Sequence, residues 1–291
     1  METDEQLIQR SLEGDRKSVE KLVEIHQGFI YNVALKFFNN LDDARDATQE
    51  VLLKAISHLS SFDASKGAFR TWLYRITFHH FLNAKQNAYE KNITGFPVFY
   101  DMIDSVPSEE MEAHEVAAMS QDIQESMVSC TAGMIMCLDR EQRLVYIVGD
   151  VFEIGHVLAA QALDISPENF RQKLTRARRD LHEWMHRRCG LVNLDNPCRC
   201  PKKTKGFIAK GWVNPQNRKW HSGTHDKIRR IVESRMEDVL VARDRLYNDI
   251  YKEHPYKQPA MDAHTLLDGI LKDPTFHGVF SLGTNRTETV E

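Results

Sequence analysis

Between Leu41 and Asn83 the chain encodes two amphipathic helices in immediate succession, and this stretch limits the fold more than any other. Ala44, Ala47, Val51, Leu52, Ala55, Ile56 and Leu59 recur at three- and four-residue steps, which puts them on one helical face with charge opposite. Phe62-Asp63-Ala64-Ser65-Lys66-Gly67 then breaks the period with turn residues. A second helix opens near Ala68, with Phe69, Trp72, Leu73, Ile76 and Phe78 interleaved with Arg70 and Arg75. Aromatic rings beside arginines suit unstacked bases and phosphates. The same stripe also suits a packed core, and Trp72 and Ile76 are read as packing.

The same period runs through most of the chain. Leu7, Ile8 and Leu12, then Val19 to Phe37, give one or two helices parted at Gly14-Asp15. From about Tyr89 to Cys130 the pattern weakens, Pro97 and Pro107 appear, and Asp101, Asp104, Glu109, Glu110, Glu112 and Glu115 make an acidic linker, with its second part, Glu112 to Met127, a candidate helix. Leu138-Asp139-Arg140 opens another helix with Leu144, Val145, Ile147 and Val148 inward, and Ile154 to Leu163 is a short one. Ser166-Pro167 is a restart signal, a capping serine followed by a proline that suits the first helical position. Two short helices joined by such a turn form a helix-turn-helix. On the helix after it, Phe170, Leu174, Ala177 and Leu181 face inward, while Arg171, Gln172, Thr175, Arg176 and Arg179 face out. Arginine reaches phosphates or guanine edges, Gln and Asn bond adenine, and the helix N-terminus favours a phosphate. The fold class is all-α.

A chain of 291 residues with 42% hydrophobic and 27% charged residues has room for two or three small domains. No apolar run is long enough for a bilayer and the acidic start METDEQLIQR is unlike a secretory signal, so a cytoplasmic protein with no membrane partner is expected. The net charge of -4 discourages nucleic-acid binding as a sum, yet basic residues concentrate between Arg171 and Lys210. No phosphate-binding glycine loop, His-Glu-x-x-His helix or nucleophile elbow is present, which argues against an enzyme.

The segments DARDATQEVLLKA and FRTWLYRI, in that order, resemble the promoter-melting domain of sigma factors of the sigma-70 family, in particular the extracytoplasmic-function (ECF) group. SPENFRQKLTRARRDL is similar to the family's helix for the −35 element, including its Arg-Ala-Arg run at Arg176-Ala177-Arg178. The resemblance implies a non-catalytic subunit that brings core RNA polymerase to a subset of promoters and initiates transcription there. It implies a polymerase contact at Asp46, Gln49, Glu50 and Leu53, and promoter DNA contacts at Ser65, Lys66, Arg70, Tyr74 and Arg75 for the −10 element. For the −35 element it implies Pro167, Glu168, Asn169, Arg171, Gln172, Thr175, Arg176, Arg178 and Arg179. The loop from Ser61 to Ala68 corresponds to the one that captures a flipped base, and Ser65 and Gly67 permit a close backbone approach. The family's linker threads towards the polymerase cleft, although an ordinary solvated linker fits these residues equally.

The expected organisation is residues 1–90 for polymerase binding and melting, 91–130 as linker, 131–188 as the helix-turn-helix domain and 189–291 as a C-terminal extension. Some members of the group carry such extensions in place of a separate anti-sigma protein, and an anti-sigma partner is a second option. In the extension, helices are expected from about Asp226 to Lys252 and Met261 to Leu271, before a polar tail. The odd count of five cysteines argues against a disulfide framework. No cofactor is needed for the core function, but Cys189, Cys198 and Cys200 lie within twelve residues and His186 one turn before them, so zinc is a candidate, with His182 as an alternative fourth ligand. Free thiols in a basic segment are the other reading. The rival function is a helix-turn-helix regulator with a metal- or redox-sensing C-terminal domain, which would leave the two N-terminal motifs without a purpose.

Overall fold

The computed structural model describes residues 2–219, and every described element is a helix or a turn. The expected helices near Asp226 and Met261 lie outside the described residues. α1 (Asp4–Leu12) begins with a capping box between Thr3 and Gln6, and α2 (Arg16–Phe38) is capped by Asp15. α2 ends where Asn39 turns left-handed at φ 52°, and the very next residue, Asn40, accepts from the Asp42 and Asp43 amides to start α3 (Leu41–Ser57). Two asparagines thus make a corner tight enough to fold α3 back along α2. After a 3-10 turn and the loop to Gly67, α4 (Phe69–Asn83) closes this first bundle over Phe37, Ala44, Val51, Phe78 and Phe81, all buried.

The acidic segment is helical along much of its length, including the candidate stretch from Glu112 to Met127. It contains α5 (Ala88–Asn92), α6 (Phe96–Asp104), α7 (Ala113–Ala118) and α8 (Ser120–Ile135). Phe96, Phe99, Tyr100 and Ile103 of α6 are buried, which explains why a solvated path is ruled out: four large apolar groups from one short helix would otherwise face water. Gly133 in α8 lets α6 come this close, because a Cβ there would stand 2.7 Å from the Phe99 ring.

The second bundle starts with α9 (Arg140–Tyr146), capped by Asp139, and continues through a π turn at Ile147–Val151 into α10 (His156–Ala162). Asp164 adopts φ 53°, Ser166 accepts from the Asn169 amide, and Pro167 opens α11 (Pro167–Arg188) as the restart signal requires. Trp184 on α11 stacks on Phe96 at 5.7 Å and on Tyr100 at 5.8 Å, so the acidic segment is packed against the end of this bundle.

Beyond α11 the chain makes a loop held by Arg199, whose guanidinium donates to the carbonyls of Leu194, Asn196 and Cys198. α12 (Cys200–Ala209) then lies on α8. Its lysines meet the acidic segment: Lys202 pairs with Glu110, Lys205 with Glu115 at 2.9 Å, and buried Lys203 donates to the Ile103 carbonyl at 3.0 Å. The basic run read as part of a nucleic-acid field is therefore largely spent inside the protein. No described helix is long and apolar enough to cross a membrane.

Candidate nucleic-acid interface

The outward face of α11 is the most open basic surface among the residues singled out. Glu168, Asn169, Arg171, Gln172, Thr175, Arg176 and Arg179 are exposed, Pro167 is half-buried, and the apolar set Phe170, Leu174, Ala177 and Leu181 is buried. Arg171 donates to Glu168 at 2.5 Å and thereby holds that carboxyl below its ordinary range, while Arg179 pairs with Asp180 at 2.9 Å. Exposed pairs of this kind exchange readily for phosphate, because their mutual attraction in water is weak.

Arg178 differs from its neighbours. Its guanidinium engages both oxygens of Asp150, one through Nε at 2.7 Å, and Asp150 is only 3% exposed. A buried carboxylate needs that charge, so Arg178 ties α11 to the π turn rather than standing out towards DNA. This corrects the reading of Arg178 as a DNA contact.

A second correction concerns Tyr74. It is buried, stacked on Phe29 at 4.4 Å and on Phe78 at 5.7 Å, and burial raises its hydroxyl above the ordinary tyrosine value. It belongs to the core. Trp72 packs at 5.4 Å on Phe69, as its spacing suggested, and Arg70 remains exposed. In the preceding loop Ser65 donates to Asp63 through its amide at 3.0 Å and its hydroxyl at 2.7 Å, and Lys66 lies 3.4 Å from the same carboxylate. These contacts shape a small exposed turn that ends at Gly67, φ 153°.

Arg75 is exposed but engaged across the molecule. It donates to the Gln161 carbonyl at 3.1 Å and pairs with Asp164 at 2.9 Å, and His79 reaches the same carboxylate at 2.9 Å. The helix-turn-helix corner thus sits on α4. On α3, Asp46 and Glu50 are exposed four residues apart on one face, with Gln49 and Leu53 half-buried beside them. Glu50 is 3.7 Å from His80.

Three residues that sequence reasoning did not single out join the two bundles. Glu90, 5% exposed, accepts from Arg140 at 2.8 Å and from Arg143 at 2.9 Å, and Arg143 is itself 2% exposed. Both guanidinium carbons lie 5.3 Å from the Phe37 ring centroid. Arg143 also donates to the carbonyls of Phe37, Met136 and Leu138. Burial above all pulls Arg143 below its ordinary value, the Glu90 charge opposes this, and the Arg140 charge adds a smaller downward push. Arg140 and Arg143 stand one helical turn apart on α9, but nothing in their spacing points to an acid some fifty residues earlier.

The cysteines are all free, and the described residues contain no group of three or more His, Cys, Asp or Glu that could hold a metal ion. The expected quartet of Cys189, Cys198, Cys200 and His186 is not assembled: Cys189 is buried, while His186 is exposed and offers its carbonyl to Asn193 and Asn196. Burial pushes the Cys189 thiol up to about 12 and raises Cys130, Cys198 and Cys200 as well. His182, itself part of α11, is buried.

Residues 22–88 match the family model for sigma-70 region 2. The RNA polymerase sigma-H factor of Pseudomonas aeruginosa is 36% identical over 78 residues, 27% of this chain and 40% of that protein. The ECF RNA polymerase sigma factor SigE of Mycolicibacterium smegmatis is 22% identical over 168 residues, 58% of this chain and 62% of the relative. The chain therefore spans less than two thirds of the length of these relatives. A structure of CnrH in complex with the cytosolic domain of CnrY is 19% identical, covers 64% of this chain and 99% of that one, and gives a TM-score of 0.42.

Proposed function

We propose that this chain, a member of the ECF group of the sigma-70 family by its region 2 domain, is an RNA polymerase sigma factor that directs initiation at a subset of promoters. The observation that carries the reading is the pairing, in one chain, of a region 2 match with an outward basic helix opened by Ser166 and Pro167. Asp46, Gln49, Glu50 and Leu53 on α3 meet core polymerase. Ser65, Lys66 and Arg70 approach the melted −10 strand, where the glycine-ended turn allows a base close to the backbone. On α11, Asn169, Arg171, Gln172, Thr175, Arg176 and Arg179 enter the major groove at −35, and Pro167 and Glu168 mark the helix N-terminus that faces a phosphate. The reading requires no cofactor, and it treats the buried thiols as packing groups; metal content of the purified, anaerobically handled protein checks that point.

The test is transcription with core polymerase on a genomic promoter library, coupled to a pull-down. Asp46→Ala with Glu50→Ala is expected to lose polymerase first, whereas Arg176→Ala keeps polymerase and loses promoter affinity. A chain that binds DNA but never core polymerase would instead be a free-standing regulator.

A further inference from the structure

The loop from Cys189 to Cys198 has no task in the sigma-factor reading. All five thiols of the chain are free, yet these two residues are paired through their backbones in an isolated parallel β-bridge, which joins no other two cysteines. Strands bridged in this way run roughly 4.7–4.9 Å apart, and a disulfide spans Cα atoms about 4.4–6.8 Å apart, so the pair can be joined without moving the backbone. The loop between them is tied in that shape. Asn196 donates to the carbonyls of His186 at 2.9 Å and Cys189 at 3.2 Å, Asn193 donates to the His186 carbonyl at 3.1 Å, and Arg199 donates to the Cys198 carbonyl at 3.0 Å. A Cβ at Gly190 would collide with the Cys198 carbonyl oxygen, so glycine lets the two backbones come this close. The thiols differ in access. Cys189, at the end of α11, is buried, whereas Cys198 is half-buried. Gly190 and Arg199, which flank them, line a cavity of about 500 Å³ between the loop and α7 and α8, wide enough to admit a small oxidant. Burial raises the Cys198 thiol above its ordinary value and Asp104 adds to this, while the Lys203 and Arg199 charges oppose it and favour the thiolate that reacts.

We infer that Cys189 and Cys198 are a redox modification site, which hydrogen peroxide converts to an intramolecular disulfide and a dithiol reductant restores. Cys198 reacts first. Its sulfur attacks one peroxide oxygen, an S–O bond forms, the O–O bond breaks, and the Cys198 proton leaves with the displaced oxygen as water. The Cys189 sulfur then attacks the Cys198 sulfur. The S–S bond forms as the S–O bond breaks, and the hydroxyl departs with the Cys189 proton as a second water. Two thiols are oxidised and one peroxide is reduced to two waters. The new bond closes the loop between α11 and α12, so it fixes where the extension leaves the second bundle. The inference goes beyond the sigma-factor reading and does not depend on it.

The experiment uses the full chain and needs no polymerase. Reduced protein is exposed to hydrogen peroxide in slight excess, free thiols are alkylated, and trypsin then cuts after Arg188 and Arg199. This releases residues 189–199, which hold Cys189 and Cys198 and no other cysteine. By mass spectrometry that peptide is expected unalkylated and lighter by two hydrogens than its reduced form, with Cys130, Cys137 and Cys200 alkylated, and dithiothreitol restores alkylation at both positions. Full alkylation of residues 189–199 after peroxide overturns the inference, as does a bond from either cysteine to Cys130 or Cys200. In a second arm, Cys198→Ser at unchanged helical circular dichroism is expected to lose its Cys189 thiol about tenfold more slowly than the unsubstituted chain. Equal rates overturn the order of attack. If the variant loses helicity, the peptide from the unsubstituted chain decides alone. The urea midpoint of the unsubstituted chain is also expected to rise on oxidation, because the bond constrains the unfolded chain. An unchanged or lower midpoint means that the bond distorts the bridge, and overturns the fit of the disulfide to the native backbone.

Discussion

The two helices assigned to DNA, α4 and α11, look alike as strings of arginine and apolar residues, yet the fold treats them differently. On α11 Arg171, Arg176 and Arg179 stay exposed, whereas Arg178 is held by buried Asp150 and Lys173 by Glu141 of α9. On α4 the aromatic expected to meet bases, Tyr74, is in the core, and the arginine beside it is occupied by Asp164. The difference follows from packing on both sides. α4 lies between its own bundle and α10, so its outward face is partly an interface; α11 presents one side to α9 and α10 and leaves the other to solvent. A basic, aromatic stripe therefore measures what a helix could bind, and its neighbours decide what it is free to bind.

The largest test of this contrast removes the cluster that brings α4 and the second bundle together. Glu90→Ala leaves two guanidiniums, with side chains 3% and 16% exposed, without their carboxylate, and should cost about 3–5 kcal/mol in urea unfolding. A loss under about 1 kcal/mol would mean that water or other acceptors already satisfy those arginines. Next comes the pair of near neighbours on α11. Arg178→Ala strips the charge from buried Asp150 and is expected to cost about 1–3 kcal/mol, less than the full cost of breaking a buried pair because the arginine side chain is 42% exposed. Arg176→Ala, two residues away, should leave stability within about 0.5 kcal/mol while reducing the salt slope of promoter binding by about one unit. If the two variants exchanged these phenotypes, the assignment of inward and outward arginines would be reversed. The smallest expected effect is that of Tyr74→Phe, which keeps the ring stack on Phe29 and changes stability by less than about 1 kcal/mol, with promoter melting unchanged. A large melting defect in that variant would return Tyr74 to the DNA surface.

The helices themselves were legible because their causes are local. Three- and four-residue apolar spacing, the helix opening at Leu138-Asp139-Arg140 and the Ser166-Pro167 start all act within a turn or two of chain, and the structure has helices at each of these places. In the acidic segment the packing of its aromatics was not legible from charge counts. Phe96, Phe99, Tyr100 and Ile103 needed a surface to bury against, and that surface, Trp184 with α8, comes from much later in the chain. The thiols misled for a related reason: closeness in sequence between Cys189, Cys198 and Cys200 did not assemble, among the described residues, a group of three or more ligands that could hold a metal ion.

By itself, then, the sequence determined that the chain is helical, where most helices start, and which residue types could face polymerase or DNA, since propensity, capping and periodicity are properties of neighbouring residues. Only the tertiary structure decided which of those residues remain available. Arg178 meets Asp150 across 28 residues, Arg140 meets Glu90 across 50 and His79 meets Asp164 across 85. Coulomb attraction depends on distance in space and on burial, and neither is written in the local sequence.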